Sequence, residues 1–199
     1  MIVITDTHFI PNEVEIINTL FYEGLEILHL RKPDSTAKQV SELISGIDSR
    51  FHSRIMIHSH YELLSSYQLK GMHFTENSKH LLDDFKNFKC VKSLAMHDLK
   101  QLKKMSDSID YVLLSPLFPS ISKPGYSKHW DFEILKSELS IKYPFHIVAL
   151  GGITLNNVNI VNQLGFDDFA LLGSIWEPVK SGCSIQQVLN VFKSFKSEY

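Results

Sequence analysis

Short apolar runs rich in β-branched residues recur along the chain, and segments with helical periodicity lie between them. The apolar runs are residues 2–5, 26–30, 54–57, 71–74, 90–96, 111–114, 146–150 and 169–172. The segments that repeat apolar residues at i, i+3 and i+4 are 13–21, 37–47, 99–105, 132–139, 155–164 and 185–195. Alternation of strands and helices in this manner predicts a parallel sheet.

Eight strand–helix units favour a barrel over an open sheet. The chain has 199 residues, which is at the small end for a (β/α)8 barrel. A doubly wound sheet usually has fewer strands, and its Gly-x-Gly-x-x-Gly loop is missing here. No linker, charge run or low-complexity segment divides the chain. We therefore predict the α/β class, with residues 1–199 forming a single (β/α)8 TIM-barrel domain.

Composition and charge narrow the classes of partner. The net charge of −2 gives no electrostatic reason to expect nucleic acid or a membrane surface. Cys90 and Cys183 are far apart and match no metal-binding or redox spacing, which favours a reducing compartment. No apolar run approaches the roughly 18 residues that a membrane helix needs. We expect a cytoplasmic protein that acts on small molecules, without nucleic acid or membrane partners.

Cationic side chains follow the second strand, at the barrel end where active sites lie. His29, Arg31 and Lys32 occupy these positions. Arginine offers a planar fork that can hold two oxygens of a phosphate, and lysine adds a point charge. All three are therefore candidate substrate ligands, with a solvated helix start as the alternative.

Histidines follow the third, fourth and fifth strands. His58 and His60 come after the third strand, His73 ends the fourth, and His97 follows the fifth. Imidazoles at neutral pH can bind metal, move protons or donate to phosphate. The His58-x-His60 pair suits zinc if both side chains share a face, but the carboxylates of a hydrolase metal site are not evident. We assign no metal ligands and take His58 and His73 as candidate substrate ligands, with ordinary polar packing as the alternative.

The loop after the sixth strand is long for a loop of this kind, and long loops on compact folds are often binding loops. Ser120 and Ser122 offer hydroxyls and Lys123 offers a cation, a combination that suits a diphosphate or its departure. Lys123 is a candidate catalytic residue, and a turn with chance hydroxyls is the alternative.

Glycines follow the last two strands. Gly151-Gly152 comes after the seventh strand, and Gly173-Ser174 comes after the eighth, before another helical pattern. Glycine lets backbone amides approach a phosphate, and a helix start adds the positive end of its dipole. Barrels frequently build phosphate sites from these two loops, so all four residues are predicted phosphate ligands.

With these positions in place, the chain resembles the thiamine phosphate synthase family, which includes TenI-type thiazole tautomerases. His29-Leu30-Arg31 lies where synthases carry Gln-x-Arg, and Gly71-Met72-His73 is similar to their Gly-Val-His. Residues 116–123 resemble the synthase loop Pro-Val-Phe-Pro-Thr-x-Thr-Lys. The most specific matches are residues 149–154 and 170–175.

The resemblance implies two phosphorylated substrates. A thiazole phosphate would rest on the loops after strands 7 and 8, and a hydroxymethylpyrimidine diphosphate would be held by the cations after strands 2 and 6 and by Mg²⁺. Loss of diphosphate would leave a pyrimidine-methyl cation that the thiazole nitrogen captures. Family members often associate, so a homodimer is also expected.

Departures from the family keep alternatives open. Synthases carry Asn-Asp where this chain has His58-Ser59, and a second aspartate where it has Ser78, so both usual Mg²⁺ ligands are absent. A tautomerase needs only a histidine base, for which His97 is the candidate, but its second histidine is Pro116 here. The first hypothesis is the synthase reaction, the second is tautomerisation, and the third is a catalytically silent phosphate binder. A hydrolase with a histidine-bound metal comes last.

Overall fold

The computed structural model describes residues 1–105, 108–120 and 130–198. Eight strands form a closed barrel in which each pairs in parallel with its neighbours in sequence and β8 returns to β1. The strands are β1 (Ile2–Ile4), β2 (Ile27–Leu30), β3 (Ile55–Ile57), β4 (Gly71–Phe74), β5 (Val91–Met96), β6 (Tyr111–Leu114), β7 (His146–Leu150) and β8 (Asp168–Leu171). The predicted (β/α)8 TIM-barrel architecture is confirmed.

Helices cover the outside of the barrel. They are α1 (Glu13–Tyr22), α2 (Ala37–Gly46), α3 (Leu63–Tyr67), α4 (Phe132–Leu139), α5 (Val158–Leu164), α6 (Gly173–Lys180) and α7 (Ile185–Glu198). Their apolar faces and the outward side chains of the strands form the larger hydrophobic core. Among the described residues, no helix has the length and apolarity needed to cross a membrane.

One predicted helix is a 3₁₀ segment. Residues 99–105 were expected to be α-helical, but Leu99–Lys104 form a 3₁₀ helix that begins with the Asp98 carboxylate accepting from the backbone N–H of Lys100 at 3.0 Å. Side chains three residues apart are eclipsed in a 3₁₀ helix. The apolar spacing of Leu99 and Leu102 therefore fits this shorter element as well as an α-helix.

The buried polar side chains of the barrel interior are confined to one side, where they lie beside the apolar Met56 of β3 and Leu113 of β6. Alternate residues of a strand point to opposite faces, so every second residue points inward. The strands β1, β7 and β8 direct inward the apolar side chains of Ile2, Ile4, Val148 and Ala170. The strands β2, β4, β5 and β6 bury polar side chains, which are those of His29, His73, Ser93 and Tyr111.

Candidate functional site

A cavity of about 340 Å³ opens at the carboxyl ends of the strands. All eight strands contribute to it, either from their last residues or from the loops that follow. Its volume falls at the lower end of the range for small-molecule sites. The loops after β7 and β8 and the loops after β2 to β6 form its two sides.

The loop after β7 has a backbone that only glycine adopts readily. Gly151 has φ +104° and Gly152 has φ +63°. A Cβ on Gly152 would lie 2.2 Å from the carbonyl oxygen of Pro119, so the loop after β6 packs directly against this loop. The backbone N–H of Phe118 donates to the carbonyl of Gly151 at 3.0 Å. Both glycines line the cavity.

Helix α6 begins at the cavity, directly after β8. Its first internal hydrogen bond runs from the N–H of Ile175 to the carbonyl of Leu172, so the amides of Gly173 and Ser174 precede the helical ladder. The Ser174 hydroxyl donates to the carbonyl of Ile153 and thereby joins this loop to the one after β7. Gly173 lines the cavity, whereas the Ser174 side chain is used in this link. Anions bind readily at such helix starts.

His97 has a fixed tautomer on the cavity wall. Its Nδ1 donates to the backbone carbonyl of Ser115 at 2.7 Å. A carbonyl can only accept, so Nδ1 carries the proton and Nε2 is the basic nitrogen of the neutral ring. The predicted general base therefore has the tautomer that a base requires.

Arg31 lines the same cavity, and Lys32 does not. The backbone N–H of Arg31 donates to the Thr5 hydroxyl at 2.9 Å. Burial lowers the pKa of the Arg31 guanidinium, but the group stays protonated. Lys32 points outward instead, and its Nζ lies 2.6 Å from Glu13 Oε1. It also donates to the carbonyls of Asp6 and His8. Lys32 is thus buried in an ion pair behind the barrel wall.

Three predicted histidines come together at the polar side of the barrel. His58 and His73 line the cavity, and their ring centroids are 4.2 Å apart. His29 is fully buried behind them, with Nδ1 2.9 Å from His58 Nε2. Burial lowers the pKa of His73 to about 3 and lowers the pKa values of His29 and His58 well below their usual range. Burial therefore favours the neutral form of all three rings, and in that form they add no positive charge to the cavity.

The His58-x-His60 pair does not share a face. The strand ends at Ile57, and His60 has φ +55°, which turns its ring away from the barrel. His60 Nε2 instead donates to the carbonyl of Ser35 at 2.8 Å. The expected shared face depended on an extended backbone that does not continue past Ile57.

Other site residues lie in or beside the loop after β6. Ser120 lines the cavity, while Ser122 and Lys123 lie outside the described residues.

Sequence reasoning missed the contribution of Tyr111 and Ser93, which bond to His29 and His73 inside the barrel. The alternation of in and out residues along β5 and β6 was the signal that could have found them.

Comparison with known proteins assigns the chain to a family. Residues 1–175 match the family model described as thiamine monophosphate synthase. The chain belongs to this family. The thiamine-phosphate synthase of Proteus mirabilis is 25% identical over 174 residues, covering 83% of this chain and 80% of that protein. That of Dictyoglomus turgidum is 20% identical over 191 residues, covering 92% and 85%.

Solved structures of thiamine phosphate pyrophosphorylases superpose on this chain. The thiamine phosphate pyrophosphorylase of Bacteroides thetaiotaomicron superposes with a TM-score of 0.84 and 29% identity, covering 100% of this chain and 96% of that one. A second pyrophosphorylase, from Pyrococcus furiosus, has a TM-score of 0.76 at 16% identity, which is evidence for the fold alone. Curated relatives that are named synthases support an enzyme of thiamine biosynthesis.

The Mg²⁺ that family synthases use does not fit the residues described here. Mg²⁺ is usually held by one or two carboxylates together with substrate phosphates. Ser59 and Ser78 stand at the two aspartate positions, and the Ser78 hydroxyl accepts from the backbone N–H of Thr75 at 2.9 Å. In the described part of the chain, Glu76 is the one carboxylate on the cavity wall, and it is ion-paired with Lys79.

We predict that Lys32 stabilises the fold and does not bind substrate. Replacing Lys32→Met should lower the free energy of unfolding by about 3–5 kcal/mol, because it leaves Glu13 buried without its partner. Chemical denaturation measures this loss. The double variant with Glu13→Leu should regain most of it. Unchanged stability with lost substrate affinity in Lys32→Met would contradict the structural role.

Proposed function

We propose that this chain is a diphosphate-releasing transferase that joins a hydroxymethylpyrimidine diphosphate to a thiazole phosphate. The observation that carries the proposal is one cavity bordered by two glycine loops on one side and by Arg31 on another. The names of the relatives support the same reaction. The residues that follow explain how the chain would bind both substrates.

The thiazole phosphate would bind with its phosphate on the loops after β7 and β8. The backbone N–H groups of Gly152, Gly173 and Ser174 are suited to donate hydrogen bonds to its oxygens, and the start of α6 adds a favourable dipole. The apolar inner residues Ile4 and Ala170 line the floor beneath this position, where they would contact the ring. Positioning of this kind supplies a large part of the rate acceleration that such an enzyme can provide.

Among the described residues, Arg31 is the cation on the cavity wall that would hold the diphosphate. Its planar fork can bind two oxygens and offset the charge that develops as the carbon–oxygen bond breaks. The thiazole nitrogen then forms the new carbon–nitrogen bond to the pyrimidine methyl carbon. Lys123 and Ser122 remain expected contributors to the leaving group's stabilisation, and Ser120 lies on the cavity wall beside their segment.

A second candidate reaction is proton transfer on a thiazole carboxylate phosphate. Two observations favour it: among the described residues the wall offers no carboxylate pair for Mg²⁺, and Nε2 is the basic nitrogen of the neutral His97 ring. Tautomerisation needs a base at one carbon and no metal. The same phosphate site serves both reactions, so only the reaction at the ring differs.

Product analysis distinguishes the two reactions. Given hydroxymethylpyrimidine diphosphate, thiazole phosphate and Mg²⁺, the purified protein should form thiamine phosphate and diphosphate in equal amounts. Incubated with the thiazole carboxylate phosphate tautomer alone, it should leave the substrate unchanged. The reverse pattern would replace the transferase with the tautomerase, and binding without turnover in both assays would reject both.

Replacing His97→Asn tests the second candidate separately. The Asn amide can keep a hydrogen bond to the Ser115 carbonyl but offers no basic nitrogen. A tautomerase should lose about 10²–10⁴-fold in kcat, the usual contribution of a general base. The transferase rate should change far less, because that reaction needs no proton removal from the ring. A matched control is His80→Asn, at an exposed histidine that does not line the cavity.

The phosphate position can be tested with two glycines of similar backbone conformation. Gly152→Ala places a Cβ against Pro119 at positive φ, whereas Gly165→Ala adds similar backbone strain with its nearest contact at 3.9 Å and lies outside the cavity lining. We expect Gly152→Ala to weaken thiazole phosphate binding about 10–100-fold, equivalent to one charged hydrogen bond. Gly165→Ala should lose stability only. Calorimetric titration with thiazole phosphate measures the affinity of each variant. Equal affinities in the two variants would contradict the assigned phosphate position.

A further inference from the structure

Five polar side chains occupy the inner wall and rim of the barrel between β2 and β6. His29, His73, Ser93 and Tyr111 are buried, and His58 follows β3 at the rim. The proposed transfer reaction uses none of them directly. Burying three imidazoles together is costly unless each has partners, so their arrangement calls for an explanation.

The three imidazoles are grouped as ligands of one metal ion would be. One ligand nitrogen can be chosen on each of His29, His58 and His73 such that all three lie within 4.8 Å of one another. Imidazole nitrogens bind Zn²⁺ at about 2.0–2.1 Å, so two of them on one ion are about 2.9 Å apart at a right angle and about 3.3 Å apart at the tetrahedral angle. His29 Nδ1 and His58 Nε2 already lie 2.9 Å apart.

Hydrogen bonds fix the outer nitrogens of two of these rings. His29 Nε2 lies 2.6 Å from the Tyr111 hydroxyl, and His73 Nδ1 lies 2.9 Å from the Ser93 hydroxyl. Metal-binding histidines almost always make such a bond through the nitrogen that does not bind the metal, which sets the ring orientation. His29 Nδ1 and His73 Nε2 are then the nitrogens left to bind an ion.

His58 supplies a second, independent observation. Its ring is part-exposed at the cavity, yet its Nδ1 is shielded from solvent and has no hydrogen-bond partner in the structure. An unpartnered buried nitrogen costs about 1–3 kcal/mol in the absence of a ligand. His58 thus directs Nε2 towards His29, while its Nδ1 lacks the partner that a bound ligand would supply.

We propose that His29, His58 and His73 bind one divalent transition-metal ion of the zinc and cobalt class. Neutral imidazoles suit such ions, whereas Mg²⁺ prefers hard oxygen ligands. Because His58 and His73 line the cavity, the fourth coordination position faces it and is open to water or to an oxygen of a bound ligand. The proposal does not depend on the proposed function, since metal binding is measured without substrate.

Direct titration of the metal tests this site. Tag-free protein, treated with chelator and dialysed, is titrated with Zn²⁺ by calorimetry and with Co²⁺ by visible absorption. We expect one equivalent of each, Co²⁺ absorption typical of tetrahedral nitrogen coordination, displacement of Co²⁺ by Zn²⁺, and no competition from excess Mg²⁺. Absence of stoichiometric binding to the wild-type chain would overturn the proposal and leave a hydrogen-bonded histidine network.

Variants locate the ion. His58→Gln should abolish one-equivalent binding, and Tyr111→Phe, which removes only the hydroxyl beside His29, should weaken it about 10–100-fold. The exposed His80→Asn is the matched control and should bind as the wild type does. Thermal unfolding with and without Zn²⁺ shows that each variant is folded, and Zn²⁺ should raise the Tm of the wild type and of His80→Asn equally, that of Tyr111→Phe less, and that of His58→Gln not at all. Equal Zn²⁺ affinity in His58→Gln and the wild type would assign the ion to another site and reject the cluster.

Discussion

Parallel pairing of β1 with both β2 and β8 closes the sheet, and the site depends on that closure. Ile2 is in register with Ile27 on one side and with Ala170 on the other. The closure brings the carboxyl ends of all eight strands to one rim, where segments far apart in sequence line a single cavity. The loops after β7 and β8 then lie side by side, joined by the hydroxyl of Ser174.

The inside of the barrel divides this cavity chemically. On the side of β1, β7 and β8 the inward residues are apolar, and the adjoining loops offer backbone amides suited to a phosphate. On the side of β2 to β6 they include histidines, a serine and a tyrosine, together with the apolar side chains of Met56 and Leu113. Family synthases carry carboxylates at the rim of this second side, and here Ser59 and Ser78 take their places. Under the proposed function, the chain would therefore keep the phosphate side of the synthases and depart from them at the position of the metal.

The barrel could be predicted because eight short apolar runs alternate with segments of helical periodicity. Alternation of inward and outward side chains explains why one predicted site residue after β2 lines the cavity and its neighbour does not. Arg31 continues the inward parity of His29, whereas Lys32 has the opposite parity and lies in the outer layer with Glu13. Parity along β2 could have separated them. The turn at His60 and the histidine contacts across β2, β3 and β4 could not be predicted, since they depend on local φ and on register between strands.

The central claim is that the loops after β7 and β8 bind one phosphate at the mouth of the barrel. A crystal structure of the chain with thiazole phosphate tests it most directly. We expect phosphate oxygens within hydrogen-bonding distance of the backbone N–H groups of Gly152, Gly173 and Ser174, with the ring directed towards Ile4. A phosphate bound among His58, His73 and Arg31, with the glycine loops unoccupied, would contradict it.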